Sequence, residues 1–270
     1  MATTVINGVQ MYYELTGDSG EVLTILNGIM MSSSSWDELK KDYLQRGYRV
    51  LTLDFRDQGK SEASREAYNI EQHREDLVAL LDHLNIRKTH ILGISYGGQV
   101  GMLFTLKYPE YVDRLILANT SSKISNFLKG IGGAWDEAAK LYDGERFFRI
   151  AMPLIYSDVF YESHYSWLKE RETQFKKILT KEWFDRYLRL SSSHGNYNIE
   201  DEIDKIERPT LVIGGDRDGV TPYEEVYRIY KKINGAALVM IPDCGHASCY
   251  EKPREFNIQV LGFLQLNIEN

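Results

Sequence analysis

One serine, one histidine and one aspartate in this chain are spaced along it in a way that suits acyl transfer. A serine hydroxyl is a weak nucleophile at neutral pH until a neighbouring base takes its proton. Ser95 sits in Gly93-Ile94-Ser95-Tyr96-Gly97, a Gly-x-Ser-x-Gly pentapeptide between a segment that reads as a strand and one that reads as a helix. A sharp strand-to-helix turn strains the backbone at the serine and lifts its hydroxyl clear of the sheet. It also brings the neighbouring positions too close for a Cβ, so glycine is needed on both sides. The helix that starts after Ser95 offers free N–H groups, and the positive end of its dipole, to developing negative charge.

Six histidines are available as the base. His73 and His83 fall in a helical segment, on its surface or flank, and His90 begins a strand. His164 and His194 lie in a helical block, where a contact to substrate is the smaller expectation. His246, in Asp243-Cys244-Gly245-His246, follows the last strand and so falls on the same sheet edge as Ser95. An acid must hold the imidazole in the right tautomer. Gly214-Gly215-Asp216-Arg217-Asp218 follows the preceding strand, and both Asp216 and Asp218 qualify, with turn capping as the competing use of either. An oxyanion hole takes two backbone N–H groups. Tyr96, just after the serine, is expected to give one, and Ile29, in the loop after Asn27-Gly28, the other. Asn27, Gly28 and Met30 are expected at the substrate, with Met30 and Met31 forming an adaptable acyl pocket.

These residues need a scaffold. Thr3–Ile6 and Val9–Thr16 read as a hairpin joined at Asn7-Gly8, the strongest short hairpin signal. Further strands are read at Val22–Leu26, Arg49–Leu53, His90–Gly93, Leu115–Ala118, Thr210–Gly214 and Ala237–Ile241. Helices are read at Trp36–Gln45, Ile70–Leu84, Tyr96–Tyr108, Tyr223–Ile233 and Pro253–Leu264. The alternation implies an α/β fold, a mostly parallel eight-stranded sheet flanked by helices. Residues 121–198 interrupt it with a helical, aromatic-rich block. That block reads as an inserted lid, and residues 1–120 with 199–270 as the core.

With the segments placed, the chain resembles the α/β-hydrolase family over nearly its whole length. Asp54-Phe55-Arg56-Asp57-Gln58-Gly59-Lys60-Ser61 is similar to the family's Asp-x-Arg-Gly-x-Gly-x-Ser loop, and His246 with Glu251-Lys252-Pro253 to its His-x4-Glu-x-Pro segment. In the family's acid loop the Asp lies four residues before a proline, which favours Asp218, four before Pro222, over Asp216. The resemblance implies a Ser95–Asp218–His246 triad and no metal or organic cofactor. Two positions depart from the pattern. Asn27 stands where the family usually has His, and Asp57 where it usually has Gly. The serine nucleophile separates the chain from the haloalkane dehalogenase branch, which uses Asp.

The expected activity is cleavage of a small-molecule carboxylic ester, or a related lactone or thioester, through an acyl-enzyme. The alternatives on the same scaffold are a C–C bond hydrolase, an acyltransferase and a cofactor-free oxygenase; a ligand-binding receptor with slow turnover is the alternative of another class. The 270 residues are 43% hydrophobic and 26% charged, with a formal net charge of −7, which fits a globular chain and gives no basic patch for nucleic acid. No run approaches the roughly 18 apolar residues of a membrane span. The start of the chain lacks the pattern of a signal peptide, so a cytoplasmic location with reduced thiols is expected. Cys244 and Cys249 bracket His246, but three such residues fall short of a four-ligand metal site. A homodimer is left open.

Overall fold

Asn7 and Gly8 take positive φ, 46° and 80°, and close β1 (Ala2–Ile6) onto β2 (Val9–Thr16) as an antiparallel hairpin. This is a computed structural model, and it describes residues 2–266. The remaining strands are β3 (Val22–Leu26), β4 (Arg49–Leu53), β5 (Thr89–Ile94), β6 (Val112–Ala118), β7 (Thr210–Gly215) and β8 (Ala237–Ile241). Their order across one sheet is β1-β2-β4-β3-β5-β6-β7-β8. β2 is antiparallel to both neighbours, and every pair from β4 to β8 is parallel.

Parallel strands need crossover helices, and helices on both faces leave no wet side to the sheet. Accordingly every residue of β3, β5 and β7 is buried. On one face α2 (Glu71–His83), α3 (Tyr96–Lys107) and α9 (Tyr223–Lys232) pack through Leu77, Leu80, Phe104 and Val226. On the other, α1 (Lys40–Gln45) and the late helix Pro253–Gln265 pack through Tyr43, Phe256 and Val260. The expected helix from Trp36 is broken into a 3-10 turn, Ser33–Trp36, followed by α1. Trp36 is fully buried and tied to Asn27, and Ser35 Oγ accepts from Ser32 N, so local polar bonds displace the helical ladder there. His73 also differs from its expected surface or flank position. It is fully buried, its ring 4.6 Å from that of Phe55 and 5.6 Å from that of Tyr96.

Between β6 and β7 the chain is helical: α4 (Asn126–Ala139), α5 (Gly144–Ile155), α6 (Asp158–Ser163), α7 (Tyr165–Ile178) and α8 (Lys181–Ser193). Ser125, Asp143, Ser157 and Thr180 cap four of these helices by accepting N–H bonds from their first turns. The aromatics of this block build a core of their own, in which Phe147 meets Trp183, Phe184 and Tyr187 edge-on. The last short helix, α10 (Ser248–Glu251), precedes α11 (Pro253–Gln265). Among the described residues no helix is long and apolar enough to cross a membrane.

Candidate active site

The turn from β5 into α3 puts Ser95 at φ 53°, ψ −117°, a conformation that costs energy for a residue with a Cβ and persists only where the surroundings enforce it. Ser95 N donates to Ala118 O at 2.8 Å, which fixes the turn to β6. The glycines on either side are there for space. A Cβ on Gly93 would stand 2.4 Å from Gly97 O, and one on Gly97 2.2 Å from Leu26 O. The turn therefore seats α3 directly against the end of β3.

Two loops beyond β7 and β8 reach the same edge. His246 Nε2 lies 2.9 Å from Ser95 Oγ, and His246 Nδ1 lies 2.9 and 3.1 Å from the two oxygens of Asp218. The Asp218 carboxylate also accepts from Val220 N and Thr221 N, both at 2.8 Å, from Thr221 Oγ1 at 2.7 Å and from Asn119 Nδ2 at 2.9 Å. Burial alone would raise its pKa; the imidazole of His246 and the hydrogen-bond donors outweigh burial and hold it below the usual carboxylate value. Asp216, the other acid of the loop, is exposed and caps a turn by accepting from Cys244 N. Serine, imidazole and carboxylate thus form one hydrogen-bonded line, in which Ser95 can pass a proton to His246 while Asp218 fixes the opposite ring nitrogen.

The His246 loop is fastened to the inserted helices. His246 N donates to Ile155 O at 2.7 Å, and Glu251 accepts from Gly245 N and from Ser157 N and Oγ. That places the Glu of the Glu251-Lys252-Pro253 segment as the tie between the histidine and the α5–α6 turn. Burial raises both thiols, that of Cys249 to about 12, so neither is poised as a thiolate.

Ile29 N and Tyr96 N have no acceptor among the described residues. The loop that carries Ile29 is held by side chains. Asn27 Nδ2 donates to Leu53 O at 2.7 Å and to Gln58 Oε1 at 3.0 Å, and Asn27 Oδ1 accepts from Trp36 Nε1 at 2.8 Å. Gln58 Nε2 in turn donates to Gly28 O at 2.8 Å. Asp54 joins the two loops, accepting from Ser33 N and Lys60 N. Asp57, the other departure from the family pattern, takes φ 64° and pairs with Arg189 of α8 at 2.6 Å.

A cavity of about 540 Å³ and a second of about 280 Å³ meet at Ser95, Ile29, Trp135 and Tyr187. Gly28 and Met30 line the larger one. Asn27 is placed elsewhere: it is fully buried, its polar atoms are spent on the loop, and it does not reach the cavity, which corrects its expected contact with substrate. His194 lines the smaller cavity, with Nδ1 3.0 Å from Gln99 Oε1, and burial pushes it down to about 4. His164 is exposed and stacks on Phe160. Sequence reasoning missed Asn119, Thr221 and Gln58. Asn119 ends a strand beside the acid loop, which was a usable signal; Gln58 carried none beyond its place in the Asp54–Ser61 motif.

A serine on a strained strand-to-helix turn, at the carboxyl edge of a mostly parallel eight-stranded sheet, defines the architecture of the α/β hydrolases. The family described as alpha/beta hydrolase fold matches residues 21–253, and the chain belongs to it. It is similar to MGS-M2, an alpha/beta hydrolase enzyme from a Medee basin deep-sea metagenome library, at 36% identity, with 100% of this chain and 99% of that chain covered and a TM-score of 0.96. It is 26% identical to 3-oxoadipate enol-lactonase 2 of Acinetobacter baylyi over 94% of this chain and 93% of that protein. It is 24% identical to a 2-hydroxy-6-oxononadienedioate/2-hydroxy-6-oxononatrienedioate hydrolase of Escherichia coli K12 over 95% of this chain and 91% of that protein. These likenesses support a general hydrolytic activity on this scaffold.

Proposed function

We propose that the chain hydrolyses a carboxylic ester or lactone of a small molecule through an acyl-enzyme on Ser95. The observation that carries this reading is the line Ser95 Oγ–His246–Asp218, with both contacts at 2.9 Å. His246 takes the Ser95 proton as Oγ attacks the carbonyl carbon. The N–H groups of Ile29 and Tyr96 hold the oxyanion, and Asp218 stabilises the imidazolium. The proton then passes from His246 to the leaving alkoxide. Water, deprotonated by His246, cleaves the acyl-enzyme and releases the acid. The inserted helices serve as the lid that roofs the two cavities. Likeness to an enol-lactonase supports an ester or lactone as substrate. Likeness to the Escherichia coli hydrolase supports a second reading, hydrolysis of a C–C bond beside a carbonyl, on the same residues.

A panel of nitrophenyl esters, lactones, thioesters and β-diketones at matched chain length separates the two readings. Ser95→Ala is expected to lower ester turnover by roughly a thousandfold or more. A fluorophosphonate should label Ser95 in the native chain and leave the variant unlabelled. Near-normal turnover by Ser95→Ala would sink the assignment.

A further inference from the structure

Four charged side chains line the larger cavity: Asp57, Arg171, Glu182 and Arg186. Three of them are answered within the protein. Asp57 accepts from Nε and Nη2 of Arg189 at 2.9 and 2.6 Å. Arg186 donates to the carbonyls of Gln58 and Ser61 and stands 3.8 Å from Glu182. Arg171 forms no ion pair among the described residues, and its polar contact is a single 3.4 Å approach to Gln174 Oε1.

Its position is nonetheless defined. The guanidinium lies over the rings of Trp167 and Phe175, 5.4 and 5.7 Å from their centroids. Such stacking holds the planar fork while leaving its N–H edge free for a planar anion. Met152, Ile155, Tyr156, Phe175 and Ile178 line the same cavity, so a charge brought into it meets less screening than in open water. A cation left uncompensated inside the cavity of a chain whose formal net charge is −7 is a local reversal of the overall balance.

We infer that Arg171 is an anion receptor of the larger cavity, and that the substrate carries a carboxylate on the arm that lies there. With Arg186 already engaged, one unpaired guanidinium balances a monoanionic carboxylate but only half the charge of a dianionic phosphate. The inference rests on the ester reading for the bond that breaks, but not for the binding of the anion.

The test uses the full chain, Arg171→Gln and Arg171→Lys, with two esters of equal acyl length: 4-nitrophenyl hydrogen glutarate and 4-nitrophenyl pentanoate. The native chain should favour the glutarate ester in kcat/KM. The ratio of the two should fall at least about tenfold in Arg171→Gln and be partly kept in Arg171→Lys. An unchanged ratio in Arg171→Gln, or a native preference for the pentanoate, overturns the inference. Calorimetric titration with glutarate is run on the same proteins. If neither ester turns over, the ester reading has failed, and the titration alone decides: about tenfold weaker glutarate binding by Arg171→Gln supports the anion receptor. Equal affinity in the two proteins, or no binding by the native chain, overturns it.

Discussion

Asp218 receives five donors on two oxygens, from Val220 N, Thr221 N, Thr221 Oγ1, Asn119 Nδ2 and His246 Nδ1. Four of them hold the carboxylate still, so its fifth bond can orient the imidazole. An amide in its place keeps the shape but presents N–H where an acceptor is needed, and His246 would then turn the wrong nitrogen toward Ser95. Asp218→Asn is therefore expected to lower kcat by roughly a thousandfold or more, with thermal unfolding changed far less; Asn119→Ala, which removes one anchoring donor, should cost roughly tenfold. Steady-state kinetics alongside melting curves checks both. A kcat within a few-fold of native for Asp218→Asn would mean that another group orients the ring.

The elements do their work through their ends. β3, β5, β6, β7 and β8 all point their carboxyl ends at one edge, and each contributes the loop beyond it. The Gly28–Ile29 peptide is oriented by Gln58, whose Nε2 holds Gly28 O and so directs the Ile29 N–H the other way. Gln58→Leu removes that hold and leaves Asn27 Nδ2 with a single acceptor, Leu53 O. Its effect belongs to the transition state, so kcat for ester hydrolysis should fall roughly tenfold to a hundredfold while KM moves much less. A rise in KM at constant kcat would instead place Gln58 in substrate binding. The inner strands were legible as short apolar runs, most of them closed by Gly, Asn or Asp, and β1 and β2 by the Asn7-Gly8 hairpin signal; the residues at the ends of the inner strands could be assigned to one edge. The Asn27–Gln58 pair was not legible. It joins positions from two loops, and the fold alone decides that they meet. The break in the helix at Trp36 was hidden for a similar reason, since periodicity does not show a buried indole bonded to an asparagine nine residues away.

At the scale of the whole molecule, the fold holds two histidines, one in the core and one at the smaller cavity, whose titration neutral pH conceals. His73 shares a face of α2 with Leu77 and Leu80, a spacing visible in the sequence, yet its residue type argued for the surface. Among the described residues both ring nitrogens lack partners, and burial, aided by the charge on Arg56, drives its pKa from 6.5 to about 3. His194 is driven from 6.5 to about 4 by burial. The folded chain therefore keeps both rings neutral at a pH where the unfolded chain protonates them. Unfolding takes up protons below about pH 6.5, so stability is full above that value and falls as the pH drops toward the folded values, by up to about 1.4 kcal/mol per pH unit for each ring. Phe at position 73 keeps an aromatic ring among Phe55, Tyr68 and Tyr96 and removes the titrating group along with its two unpaired nitrogens. His73→Phe should thus be close to native in stability at pH 8 and gain on it steadily as the pH falls, by about 2 kcal/mol at pH 5. Denaturant unfolding at pH 8, 6.5 and 5 reads this directly, and the window stays above the pH at which Asp218 protonates. Parallel pH dependences for the two proteins would show that His73 already carries a proton in the folded state or finds a partner there, and the account of the buried ring would have to be abandoned.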